Sequence, residues 1–244
     1  MKVGVLISAR NKSKRLKGKL LLKVSKLSII EYLILRAKNL KDRAEIILST
    51  SSDRRDLKLV KIAKKYSIKF FKGHKEDKLK RYYQTALKFN LDGMVIIDGD
   101  DPLFFIDLIQ KQIDVFKKKK YDYIYFKTKH VGVSCNFIKT KALKKIINNK
   151  RKRNTEVWAH YFLNNKDINK KEIKLNIKSI KKPIRLTLDY KEDFVLIKKI
   201  INKLNNQTEF NDRKLINLLE SNNKLLNINS GVVKEYEKHL TLST

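Results

Sequence analysis

Short apolar, often β-branched runs alternate along this chain with longer segments whose apolar residues recur at three- and four-residue steps. The runs at 3–8, 45–49, 68–71 and 94–97 predict buried strands, and the segments at 28–39, 53–66 and 77–89 predict amphipathic helices. In the second helix Leu57, Val60, Ile62 and Ala63 mark the apolar side. This alternation is the signature of βαβ units around a mostly parallel sheet. Beyond Pro102 the rhythm changes: a helix at 106–116, strands at 121–126 and 131–138, helices at 141–148 and 155–164, then strand-like runs at 172–180 and 183–188. Consecutive strands with short joins predict antiparallel additions, hence a doubly wound α/β fold with a mixed sheet. A helix at 191–203 and further helices after Asn211 close the pattern. With seven glycines and two prolines no flexible linker marks a boundary, so residues 1–244 are expected to form a single domain.

Hydrophobic residues make up 42% of the chain, with 11 Phe and 10 Tyr, which excludes a disordered basic protein. The formal net charge of +33 raises nucleic acid or an anionic membrane surface as partners. Lys, Asn and Ile, however, recur throughout and on nearly every predicted helix face, so the charge reads as compositional bias and names no partner. The lone Cys135 rules out an internal disulfide, fits a reducing compartment, and lies in an apolar run where it reads as a small core residue. No apolar run approaches the roughly 20 residues that cross a bilayer, and Arg10 closes the first run before it could serve as a secretory signal. A cytoplasmic protein without a membrane span is expected.

In open α/β sheets ligands bind beyond the carboxyl ends of the strands, so the chemistry is sought in the loops there. The first loop, S-A-R-N-K-S-K-R-L-K-G-K from Ser8, carries Arg10, Lys12, Lys14, Arg15, Lys17 and Lys19. It has neither the glycine pattern of dinucleotide folds nor a complete P-loop, but Arg forks and Lys point charges build an anion cradle without them. Arg10, Arg15 and Lys19 are assigned to that cradle; Lys12, Lys14 and Lys17 read as solvated. After the fourth strand comes M-V-I-I-D-G-D-D-P-L, whose clustered carboxylates repel unless a cation offsets them. Opposed to a basic loop, they suit Mg²⁺ bound with a phosphorylated substrate, Asp100 being the first ligand candidate and Asp101 a cap for the next helix. In R-L-T-L-D-Y-K-E-D-F, Glu192 and Asp193 fit the first turn of a helix, while Asp189 suits capping and metal binding equally.

In this order the segments resemble the cytidylyltransferases that activate acidic sugars: the 3-deoxy-manno-octulosonate and acylneuraminate cytidylyltransferases and their spore-coat-polysaccharide-type relatives. The family's A-R-x-x-S-T-R-L-P-G-K is similar to A-R-N-K-S-K-R-L-K-G-K from Ala9. G-H-K-E-D-K-L-K-R-Y-Y, from Gly73, resembles G-S-E-D-D-V-L-D-R-Y, and D-G-D-D-P-L, from Asp98, resembles Q-G-D-E-P-L. E-V-W-A-H-Y-F, from Glu156, is a looser counterpart of E-H-V-T-P-Y-F, and R-L-T-L-D with Glu192 and Asp193 follows R-L-T-V-D-x-x-E-D-F. The likeness spans about residues 3–202.

It implies a GT-A-like nucleotidyltransferase domain with a nucleotide-binding half at about 1–103, an acceptor and dimerisation part at about 104–190, and C-terminal helices at 191–244. The implied reaction moves CMP from CTP to a sugar acid of the nonulosonate or octulosonate type, releasing pyrophosphate with Mg²⁺, for cell-surface polysaccharide biosynthesis. Arg10, Arg15 and Lys19 would then hold the triphosphate and, with Asp100, act in catalysis. Ala9, Ser13, Arg81 and Asp98 would contact the nucleotide, Asp100 and Asp189 the Mg²⁺, and His74, Asn136, Glu156 and His160 the acceptor. A homodimer is implied, with the apolar stretch 121–138 available for pairing.

Where relatives carry G-L-D-V-E-V, this chain has G-V-S-C-N-F from Gly132, without the acidic residues, which leaves the acceptor open. A nucleotidyltransferase for another base or a sugar phosphate remains an alternative, because base choice rests on few contacts. The alternative from another class is a basic nucleic-acid-binding protein. Carboxylates at 98–101 would repel its phosphates in the absence of metal, so no nucleic-acid partner is expected.

Overall fold

A computed structural model describes residues 1–119, 121–152, 154–175 and 183–232. The elements are β1 (Val3–Ser8), the short pair β2 (Lys23–Val24) and β3 (Leu27–Ser28), α1 (Ile29–Lys38), β4 (Glu45–Ser51), α2 (Leu57–Lys65), β5 (Lys69–Gly73), α3 (Lys78–Lys88) and β6 (Gly93–Asp98). There follow α4 (Ile106–Lys119), β7 (Tyr123–Tyr125), β8 (Asn136–Lys139), α5 (Thr140–Asn149), α6 (His160–Leu163), β9 (Lys170–Glu172), α7 (Lys191–Lys203) and α8 (Asp212–Glu220). Seven strands form one sheet in the order β5-β4-β1-β6-β8-β7-β9. Only β8 runs antiparallel to its neighbours β6 and β7; the other pairings in the sheet are parallel. The mixed, mostly parallel α/β sheet is thus the one the hydrophobic pattern predicts.

Strand alternation builds two cores. Val3, Val5 and Ile7 of β1, with Val95 and Ile97 of β6, face the larger one with residues of α1, α2, α4, α7 and α8. Leu6, Met94 and Ile96 face the other way, against α3, α5 and α6. Both faces are covered, which is why these strands read as continuous apolar runs. Parallel register carries Ser8, Ser51, Gly73 and Asp98 to one edge of the sheet.

Several expectations need correction. The run at 131–138 is a strand only from Asn136; Gly132 has φ 83°, and a Cβ there would lie 2.4 Å from the Leu186 carbonyl carbon. The stretch is therefore a buried loop pressed against 184–187, apolar because it is buried and not because it pairs. The run at 183–188 likewise makes one bridge, Arg185 to Val131. The helix expected at 155–164 is confined to α6, since Thr155 binds the start of α3 instead. Asp101 caps no helix, as α4 opens at Ile106. Residues 176–182 of the expected strand at 172–180, and 233–244 of the C-terminal segment, lie outside the described residues. Tyr123, Ile124, Val133, Phe137 and Ile138 are fully buried in the chain's own cores, so their apolarity is accounted for without a second copy. Among the described residues no helix is long and apolar enough to cross a membrane.

Two buried polar clusters fix the C-terminal helices to the sheet. Arg36 of α1, 0% exposed, donates to the Phe104 carbonyl at 2.9 and 3.2 Å, to Thr208 at 3.2 Å and to Phe210 at 3.0 Å. Its guanidinium lies against the rings of Phe104 and Phe210, 5.0 and 3.7 Å from their centroids.

The starts of α4 and α8 cap each other. Asp212 accepts the N–H groups of Asp107 and Leu108, both at 3.2 Å, and Asp107 accepts that of Asp212 at 3.0 Å. Burial, then the neighbouring Asp107 charge, pushes Asp212 up to about 6 against the pull of Arg36 and the amides. A carboxyl raised on folding binds its proton more tightly folded than unfolded. Its stabilising contribution is full below about pH 4 and is lost as the pH climbs through about 6. Urea unfolding from pH 4 to pH 7 should therefore show Asp212→Asn following a flatter course than the parent, the difference amounting to about 2 kcal/mol. Parallel profiles would overturn this account.

Candidate active site

An open cleft of about 380 Å³ lies above the strand ends. Ala9, Arg10, Ser13, Arg15 and Lys19 line it from the loop after β1, Lys78 and Arg81 from α3, and Asp98 and Asp100 from the end of β6. Glu76, Asn154, Glu156 and Asp189 complete the wall. Gly18 makes the first of these contributions possible. At φ 66° it turns the loop into a 3₁₀ turn opening at Lys19, whose side chain points inward, 11% exposed.

Two clusters of opposite charge result. In the first, Lys19 Nζ lies 2.5 Å from Asp100 Oδ2 and 3.0 Å from Asp189 Oδ1, joining segments 81 and 170 residues away in sequence. Asp189 also accepts from Arg15 at 2.7 Å and from Arg185 at 3.0 Å, and Arg185 in turn reaches Asp193 at 3.1 Å. Asp193 accepts the N–H of Asp189 at 2.9 Å and of Tyr190 at 3.0 Å, so the start of α7 sets the Asp189 backbone. Burial opposes the charge on Asp189, but Lys19 and Arg15 outweigh it and hold the carboxyl below the usual carboxylate range. Lys19 shows the converse: burial pulls it down, while Asp100 and Asp189 raise it.

In the second cluster Arg10 is bonded to Glu156 and to the Lys75 carbonyl. Lys78 Nζ lies 3.2 Å from Glu156 and 3.4 Å from Asp98. Arg81, fully buried, donates to the His74 carbonyl at 2.9 Å, while its Nε and Nη2 find no partner among the described residues. Beside these, burial and then the Asp100 and Asp98 charges push Asp101 well above its usual range.

The cleft thus gathers every residue expected at the phosphates, nucleotide and metal, with Glu156 from the acceptor set. His74, Asn136 and His160 are not among its walls. His74 closes its own turn, Nδ1 accepting the N–H groups of Glu76 and Asp77 at 3.2 and 2.9 Å. Asn136 sits opposite Ile96 in the sheet, and His160 lines a separate groove with Tyr161 and Lys150. Lys12 and Lys14, expected to be solvated, line the cleft too, Lys12 lying 3.1 Å from Glu76. Sequence reasoning missed Lys78; its place in the first turn of a helix opening at the sheet's carboxyl edge was the available signal.

A strand-end cleft lined by opposed cations and carboxylates, on a sheet of this order, is the framework of the α/β nucleotidyltransferases. The chain matches the family described as cytidylyltransferase over residues 4–227, and it belongs to that family. It is 33% identical over 95% of its length to an uncharacterised protein of Methanocaldococcus jannaschii, covering 96% of that protein. It is 25% identical to the spore coat polysaccharide biosynthesis protein SpsF of Bacillus subtilis, over 89% of this chain and 93% of that one. Among solved structures it superposes on a cytidylyltransferase from Leptospira borgpetersenii with a TM-score of 0.84 at 27% identity, covering 93% of this chain and 97% of the other.

Proposed function

We propose that the chain transfers CMP from CTP to the hydroxyl of a sugar acid, releasing pyrophosphate. The observation that carries this reading is the convergence of Asp100 and Asp189 on Lys19 in a cleft whose walls include Arg10, Arg15 and Arg81. Two hard oxygen donors aimed at one cation are the right chemistry for Mg²⁺, which takes few protein carboxylates and completes its shell with phosphate oxygens and water. Asp100 and Asp189 would hold that ion, which when bound offsets charge on the phosphates. The protein's own part is positioning and neutralisation. Arg15 and Lys19 balance charge on the departing pyrophosphate, and Arg10, from the same loop, helps to hold the nucleotide for in-line attack. Arg81 adds a buried positive charge to the wall of the cleft.

The family assignment and the polysaccharide role in the name of the Bacillus relative support CTP and a sugar acceptor. The acidic character of the acceptor rests on the motif resemblance, as does pairing into a homodimer. In a thermal-shift series with Mg²⁺, CTP should raise the melting temperature above the shifts from UTP, GTP and ATP, and chelation should remove that margin. Pyrophosphate release should then require both CTP and a sugar acid such as 3-deoxy-manno-octulosonate or N-acetylneuraminate. A larger shift with another nucleotide would move the assignment to the other-base alternative.

A further inference from the structure

Glu156 lies where an anionic substrate group would lie. Its carboxylate bonds Arg10 and stands 3.2 Å from Lys78 Nζ, two cations whose side chains are 16% and 13% exposed. Glu156 is itself 53% exposed, so its side chain can leave while its backbone stays. That backbone is held through Thr155, whose hydroxyl accepts the Leu79 N–H at 3.1 Å and donates to Asp77 at 2.8 Å; Lys150 braces the same Asp77 at 2.5 Å. Two nearly buried cations side by side repel and favour an anion between them, since their other carboxylates are more distant: Glu76 at 3.7 Å from Arg10 and Asp98 at 3.4 Å from Lys78.

Lys78 also faces Asp98, at 3.4 Å. Asp98 offsets in part the charge that Lys78 brings to the cleft, while leaving its ammonium donors to spare.

We propose that Arg10 and Lys78 form a phosphate subsite, that Glu156 occupies it until substrate arrives, and that a phosphate of the nucleotide displaces the Glu156 carboxylate. The phosphate assignment follows from position. Arg10 comes from the same loop as Arg15 and Lys19 and lines the same cleft. This inference rests on the reading of the cleft as a nucleotide site and adds to it one ligand, Lys78, and one internal competitor.

Calorimetric titration of the full chain with pyrophosphate, CTP and cytidine tests it. Glu156→Gln should tighten pyrophosphate and CTP by about tenfold and leave cytidine unchanged, because the competitor has lost its charge. Lys78→Val should weaken both by a similar factor, and the double variant should lose most of the Glu156→Gln gain. Should Lys78→Val fail to fold, Lys78→Met keeps the aliphatic stem and takes its place. A Glu156→Gln protein that folds but binds pyrophosphate no better, or worse, reduces Glu156 to a structural brace and overturns the proposal. Pyrophosphate carries no base, so a failure of CTP preference would strike the base assignment while leaving this readout intact.

Discussion

Lys19→Ala should lower kcat/KM for CMP transfer by at least about a hundredfold, about 3 kcal/mol of transition-state stabilisation, with little loss of fold. The activity loss follows from removing a cation of the cleft whose side chain is only 11% exposed, where exclusion of water strengthens its hold on developing phosphate charge. The fold survives because Asp189 keeps Arg15 at 2.7 Å and Arg185 at 3.0 Å, and Asp100 remains partly open to solvent. Lys12→Ala, which removes an exposed lysine whose partner is an equally exposed Glu76, should stay within about threefold of the parent. Steady-state pyrophosphate release beside thermal melts separates the two effects. A Lys19→Ala enzyme near parental turnover would remove Lys19 from the reaction.

Arg36→Ala should cost on the order of 4 kcal/mol of stability, enough to threaten folding at physiological temperature. The substitution takes their donor from the carbonyls of Phe104 and Phe210, leaves Thr208 with Asn39 alone at 3.2 Å, and opens a cavity between two phenyl rings. Arg36→Met fills much of that volume and should recover roughly half of the loss, since only the hydrogen bonds are then missing. Urea unfolding of the three proteins tests the split, and equal midpoints for the Met and Ala variants would show that packing contributes nothing. Phe104 follows closely on Asp100 and Asp101, so a partly unfolded Arg36 variant should lose activity before it loses its parallel strands.

The parallel half of the fold was legible because each strand there is covered on both faces and each helix on one. Val5 and Leu6 look to different cores yet give the same apolar reading. Legibility failed where a segment is buried without being regular. The stretches 131–135 and 183–188 carry strand-like residues because they cross the core against each other, with Gly132 at positive φ preventing a continuous ladder. The cationic loop and the acidic groups at Asp98–Asp101 and Asp189 were readable because their charges sit beside apolar runs. Lys78 was missed, since one more lysine in a chain of this composition does not stand out, and only its place in the first turn of α3 marked it. Its importance comes from Asp98 and Glu156, which only the tertiary fold brings to it. His74 misled for the opposite reason: a histidine on a strand-end loop invites a chemical role, whereas its ring serves the turn.

The seat of Thr155 at the start of α3 has a spectroscopic corollary. Amides in the first turn of a helix ordinarily lack an intrahelical acceptor and exchange with solvent quickly. That of Leu79 is instead bound by a hydroxyl 76 residues further along the chain. Slow deuterium uptake at this single amide therefore gauges whether the Glu156 wall is seated, independently of the integrity of the helix. It gives a residue-level clock for movements of that wall as the cleft fills and empties.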